Sequence, residues 1–331
     1  MVDPLLLIMY TVALIIGFVL LIKGADVFVD GASNVAYNFK IPAIIVGLTI
    51  VAFGTSAPEA AISILSSITG SDTISITNIV GSNIFNILAV VGVSALIGTL
   101  TVDKVLIKRD FPFLVVSTIG LLLIAIYDKA ITLYCGIIFL IIILAYVYYL
   151  VQVAKKDKEA MSEQSEIKLT IKKAIIYIII GLIGISVGSY FVVEGAKFIA
   201  SAFGLTEGII GLTVAAIGTS LPELVTSINA LKKGENGIVI GNVLGSSIFN
   251  ILFILGINGV IISLTGNVLE IKPEVVIDIL IMTIITIIGA MFAYSKNEVD
   301  KKEGLVLVIL YILYLVFIVL RELKIISVVL F

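Results

Sequence analysis

GLTIVAFGTSAPE, Gly47 to Glu59, returns as GLTVAAIGTSLPE, Gly211 to Glu223, 164 positions further along. Each copy sets a Gly, a Thr-Ser pair, a Pro and a single Glu inside an apolar run. A carboxylate at membrane depth costs about 2.5–3.5 kcal/mol on insertion scales, so such a residue points to function before structure. A snorkelling or casually paired Glu explains one copy poorly and two matched copies worse.

The rest of the chain is membrane-like. Of its 331 residues 60% are hydrophobic and 13% charged, and apolar runs of about 20 residues recur throughout. Punctuation and periodicity predict ten spans, near 4–38, 42–68, 73–99, 108–127, 130–153, 170–203, 206–231, 237–263, 274–295 and 303–321. The first and sixth exceed a perpendicular crossing and are expected to tilt. The N-terminal run has Asp3 before it and Lys23 after it, the reverse of a signal peptide, and reads as a retained helix. The single Cys135 excludes an intrachain disulfide. The absence of His argues against a transition-metal site, while a hard cation held by oxygen stays open.

The repeat runs beyond the opening motif. At the same offset Gly24 matches Gly188, Asp30 matches Glu194 and Asn78 matches Asn242; Gly81 to Asn86, GSNIFN, matches Gly245 to Asn250, GSSIFN. Five spans per half is an odd number, so the two halves enter the membrane in opposite senses. The fold class expected is therefore all-α: ten transmembrane helices as two inverted-topology five-helix repeats, with the site near mid-membrane. The predicted parts are residues 1–154, a linker at 155–169, and residues 170–331.

Orientation follows from Lys and Arg. Fifteen lie in the odd-numbered connections, including Lys104, Lys108, Arg109 and six between Lys155 and Lys173, against Lys129, Lys272, Arg321 and Lys324 on the other side. This places the linker in the cytoplasm of a multi-pass cell-membrane protein, with both termini outside.

Thr55, Glu59 and Ser63 fall on one helical face, as do Thr219, Glu223 and Ser227. Asn78, Ser82 and Asn86, and Asn242, Ser246 and Asn250, make two more stripes. Polar stripes avoid lipid, so the four are expected to line one cavity. Hydrogen-bonded helix glue accounts equally well for Asn78, Asn242, Ser63 and Ser227, but not for the two Glu. Pro58 and Pro222 withhold a hydrogen bond from the carbonyls of Gly54 and Gly218, and local unwinding is expected to free main-chain oxygens. A bare proline kink is the plainer account. Together these groups form an all-oxygen set suited to calcium or sodium.

GTSAPE with GSNIFN, repeated as GTSLPE with GSSIFN, closely resembles the two alpha-repeats of the cation/calcium exchanger superfamily, most of all the prokaryotic sodium/calcium exchangers. The resemblance implies that Glu59 and Glu223 are the central calcium ligands, with the carbonyls of Thr55 and Thr219. It implies one sodium site of Ser56, Ser82 and the Ala52 carbonyl, and a mirror site of Ser220, Ser246 and the Ala216 carbonyl, with Asn86 and Asn250 completing the centre. Exchangers of this kind often carry Asp where this chain has Asn250, and Ser247 stands where the first repeat has Asn83. The expected activity is calcium/sodium antiport by alternating access. Calcium/proton antiport on the same fold is the alternative, with Glu59 and Glu223 carrying the protons. Calcium and sodium would be transported substrates, with the lipid bilayer as surroundings; no organic cofactor, enzyme activity or nucleic-acid partner is expected. A passive channel fits inverted repeats and broken helices less well, and a hydrolase lacks any His or Cys constellation.

Overall fold

The structure is a computed structural model and describes residues 4–68, 72–156, 168–203 and 216–326. Among the described residues, twelve helices follow in order. α1 is Pro4–Phe39, α2 Ala43–Thr55 and α3 Ala57–Ile68. α4 is Thr73–Ile97, α5 Lys104–Tyr127, α6 Leu133–Lys156 and α7 Ile171–Ala202. α8 is the short Ala216–Thr219, then come α9 Leu221–Lys232, α10 Asn236–Leu264, α11 Pro273–Lys296 and α12 Lys301–Glu322. Eight are long and apolar enough to cross a membrane, and α2 with α3, bent by 47° at their junction, make a ninth. The predicted seventh span corresponds to α8 and α9; its residues 206–215 lie outside the described residues, as do 157–167 of the linker.

The all-α expectation needs one small correction. Four two-residue strands, β1 Leu100–Thr101, β2 Ala130–Ile131, β3 Leu269–Glu270 and β4 Glu298–Val299, form two antiparallel pairs, β1 with β4 and β2 with β3. Each pair ties a connection of the first half to one of the second. Extended backbone between helix ends has unpaired N–H and C=O groups, and a strand partner satisfies them.

The longest packing seam joins α1 to α7. A side chain on Gly188 would meet the Leu21 backbone nitrogen at 2.5 Å, and one on Gly181 the Phe28 nitrogen at 2.6 Å. Reciprocally, Gly24 abuts Ile185 and Gly17 abuts Val192. Ascending numbers on α1 meet descending numbers on α7, so the two helices run antiparallel. Lipid offers apolar helices little hydrophobic drive to associate, and small residues that admit close backbone contact supply the attraction instead.

Away from the centre, buried charge is neutralised locally. Asp110 on α5 is ion-paired with Arg109 at 2.8 Å and accepts from the Tyr146 hydroxyl of α6. Asp278 on α11 accepts from both terminal nitrogens of Arg321 on α12, at 3.0 and 2.9 Å. Each cluster fastens a neighbouring pair of helices. Outside the spans, Asp300 caps α12 through the Lys302 and Glu303 amides. The hydrogen bond from Lys296, with those amides, holds its carboxyl down at about 2.

Candidate ion-binding site

The element boundaries repeat at the sequence offset. α3 and α9 begin at matched residues, each just after a Ser outside helical geometry: Ser56 at φ −83°, ψ 6° and Ser220 at φ −94°, ψ 4°. This explains the prolines. Pro58 and Pro222 occupy the first turn of a new helix, where the missing N–H would have had no partner in any case. The chain breaks at the Ser rather than unwinding along the Gly-Pro interval. Glu59 and Glu223 thus stand in the first turns of α3 and α9, where the positive end of the helix dipole favours a carboxylate.

Both carboxylates are buried, at 0% and 1% exposure. Ser220 Oγ donates to Glu59 Oε1 at 3.0 Å, and Ser56 Oγ donates to Glu223 Oε1 at 3.0 Å. Each Glu is therefore held by the serine that breaks the other half's helix. Asn78 Nδ2 donates to Ser63 Oγ at 3.0 Å and to the Glu59 carbonyl; Asn242 Nδ2 does the same to Ser227 Oγ at 3.1 Å and the Glu223 carbonyl. These four residues act as glue that fixes the Glu-bearing turns.

Of the sequence-derived candidates, Thr55, Ser56, Ser82, Ser220, Ser246 and the Ala52 carbonyl are brought together with the two Glu by hydrogen bonds, but the serines group differently from expectation. Ser82 Oγ lies 3.0 Å from Ser220 Oγ and donates to Glu59 at 3.4 Å. Ser246 Oγ donates to the Ala52 carbonyl at 3.4 Å and lies 3.4 Å from Thr55 Oγ1, which itself donates to Asn242 Oδ1 at 3.0 Å. Where the expected sets joined Ser56 with Ser82 and Ser220 with Ser246, the hydrogen bonds run across the halves, from Ser220 to Ser82 and from Ser246 to the Ala52 carbonyl. The cause is close packing of α10 on α2: a side chain on Gly245 would sit 2.6 Å from the Leu48 carbonyl, so α10 lies near enough for Ser246 to reach Ala52. The carbonyl that Pro222 frees, that of Gly218, accepts from Ser189 Oγ of α7 at 2.9 Å, which uses one of its two lone pairs.

Asn86 and Asn250 each open a π-helical turn, Asn86–Val90 and Asn250–Ile254, and a third such turn spans Gly47–Val51. Single wide turns of this kind mark functional stretches of helices. Asn250 Nδ2 donates to Asn83 Oδ1 at 3.0 Å, and Asn83 Nδ2 donates to the Ser247 carbonyl at 3.1 Å. Position 83, noted from sequence only for its mismatch with Ser247, is thereby part of the centre.

The decisive feature is what remains unsatisfied. Glu59 Oε2, Glu223 Oε2, Asn86 Oδ1 and Asn250 Oδ1 are buried and have no hydrogen-bond partner among the described residues. No basic side chain among those residues pairs with either Glu, whereas Asp110 and Asp278 each have an Arg. Two buried carboxylates left with bare oxygens call for a neutralising partner, a cation or a proton.

Residues 9–152 and 173–320 match the sodium/calcium exchanger protein family. The chain belongs to that family. CaxA of Alkalimonas amylolytica, named as a candidate antiporter, is 36% identical over 258 residues, covering 76% of this exchanger and 80% of CaxA. The sodium/calcium exchanger MaX1 of Methanosarcina acetivorans is 45% identical over 97 residues, 29% of this chain and 28% of that one. A solved structure of the sodium-calcium exchanger NCX_Mj, soaked with sodium and calcium, superposes with a TM-score of 0.80 at 31% identity, covering 92% of this chain and 97% of its own. The exchanger is thus a multi-pass membrane ion transporter and not an enzyme.

Proposed function

We propose that this exchanger moves calcium against sodium by alternating access, with the ions bound between Glu59 and Glu223. The observation that carries this reading is the pair of buried carboxylates that have unpartnered oxygens and no basic side chain against them among the described residues. Calcium takes the centre, from both Glu, the Thr55 and Thr219 carbonyls and the side-chain oxygens of Asn86 and Asn250. One sodium is assigned beside Glu223, to Ser56, Ser246 and the Ala52 carbonyl, a reading supported by the hydrogen bonds that cross between the halves. Another lies beside Glu59, on Ser82, Ser220 and the Ala216 carbonyl.

The frame is ten spans in two inverted repeats. Support comes from the matched helix breaks at Ser56 and Ser220, and from the antiparallel contact of α1 with its repeat counterpart α7. With the linker cytoplasmic, external protease should spare residues 162–166 and reach an epitope placed after Lys324. The opposite pattern overturns the orientation.

The charge count makes the stoichiometry testable. Position 250 is Asn, so the centre holds two carboxylates, which one calcium neutralises. Three sodium ions, one in each Ser-lined position and one central, leave the loaded site at +1. Exchange is then electrogenic, since one charge crossing 100 mV is worth about 2.3 kcal/mol. Calcium uptake into proteoliposomes should follow an imposed sodium gradient and respond to a potassium–valinomycin potential. Uptake that ignores the potential rules out three-for-one exchange. Uptake that ignores sodium and follows a proton gradient transfers the assignment to calcium/proton antiport.

A further inference from the structure

Toward the 68/73 connection, a second polar cluster lies between the end of α3, the start of α4 and the last turns of α10, sharing only Ser63 with the contacts around the two Glu. Asn258 of α10 is fully buried; its Nδ2 donates to Ser75 Oγ at 2.8 Å, while its Oδ1 has no hydrogen-bond partner among the described residues. Ser67 Oγ also donates to Ser75 Oγ, at 2.9 Å, and Ser63 Oγ donates to the Ser75 carbonyl at 3.2 Å. Ser63 and Ser67 stand one and two turns beyond Glu59 on the same face of α3. The cluster is therefore a short ladder of oxygens leading from the Glu59 turn toward one end of the molecule.

The duplication supplies an internal control. The inner rungs are kept in both halves, Ser63 as Ser227 and Asn78 as Asn242. The outer rungs are not: Ser67, Ser75 and Asn258 correspond to Leu231, Val239 and Ser94. At two of these three positions the equivalent helices pack without a polar group, so cohesion alone does not call for the Ser67 and Ser75 hydroxyls; the third keeps a buried hydroxyl, Ser94, in place of the longer amide. A buried amide oxygen without a hydrogen-bond partner from the protein is uncommon and points to a ligand. Every oxygen in the cluster is neutral. Such a set can replace the hydration of a monovalent cation but lacks the charge that a dehydrated divalent ion needs.

We propose that Asn258, Ser67, Ser75 and Ser63 form a carboxylate-free site for a monovalent cation on its way between that face and the Glu59–Glu223 centre. It rests on the sodium-coupled reading and gives the two faces of a duplicated molecule different sodium handling. In right-side-out and inside-out membrane vesicles, the sodium half-saturation of calcium flux is measured on each face. Asn258→Leu should raise it about fivefold on the 68/73 face, the loss of one neutral ligand, and leave the linker-side value and the calcium half-saturation unchanged. Ser67→Ala should give a smaller shift on the same face. Asn258→Asp loses the donor to Ser75 but keeps the bare oxygen and adds charge, so it should lower the half-saturation. A purely structural Asn258 would make Asp as harmful as Leu, and that result overturns the proposal. Equal shifts on both faces, or normal values in all three variants, overturn it as well while leaving sodium coupling intact. Absence of sodium-coupled flux in the unaltered protein removes the sodium reading itself, and this site with it.

Discussion

Glu59→Gln abolishes calcium transport, and Glu223→Gln does so independently, with both proteins remaining folded. The amide keeps the shape of the carboxylate and can still meet Ser220 or Ser56, so packing around α3 and α9 is preserved. The negative charge is lost, and half of the centre's charge goes with it. Perturbing even the outer partners of a metal ligand commonly costs 10–100-fold, so removing a direct carboxylate is expected to lower calcium flux by about a hundredfold or more. Calcium-45 uptake at matched expression, with elution as a single symmetric peak in detergent, checks both halves of the statement. Appreciable uptake in either variant removes that Glu from the centre.

The second large effect is on assembly. Gly188→Leu should leave little folded protein, because the new Cβ would meet backbone rather than flexible side chain: Leu21 N at 2.5 Å and Gly17 O at 2.8 Å. Overpacking typically costs about 1–3 kcal/mol, and more where the obstacle is main chain that cannot rotate away. Gly120→Ala is the control, since a Cβ there meets nothing within 4 Å. The glycine-seam variant should show a collapsed monodisperse peak and a lowered Tm, and the control should show neither. A normal Tm for Gly188→Leu would mean that α1 and α7 are not in the contact described.

Much of this was legible in the chain because the duplication did the reading. A repeat offset held over a long stretch fixes which residues share an environment, and an intramembrane Glu stands out against any apolar background. Helix breaks at Ser56 and Ser220 follow from Pro placement to within two residues. The π-turns at Asn86 and Asn250 were not legible, because a shift from i+4 to i+5 hydrogen bonding leaves no pattern in residue type. The crossing of Ser82 to Ser220 and of Ser246 to Ala52 was not legible either. It depends on how near α10 comes to α2, a distance set by glycines whose partners lie far away in sequence. Asp110 and Asp278 carry the same signal as the two Glu, and for Asp110 the adjacent Arg109 at a span end already suggests a neutralised pair.

Large residues of α1 at 14, 21 and 28 lie over glycines of α7 at 195, 188 and 181, and the reverse holds for Gly17, Gly24 and Gly31 against Val192, Ile185 and Ile178. Each series advances by seven residues, about 10.5 Å along a helix. The contact is therefore indexed like a toothed rack: a slip of less than one full tooth drives a Leu or Phe into main chain. A shift of one tooth discards an outer pairing at each end. Neither helix has a small step available along the other, so the pair behaves as one rod, and whatever displaces one of them carries its counterpart from the other half the same distance.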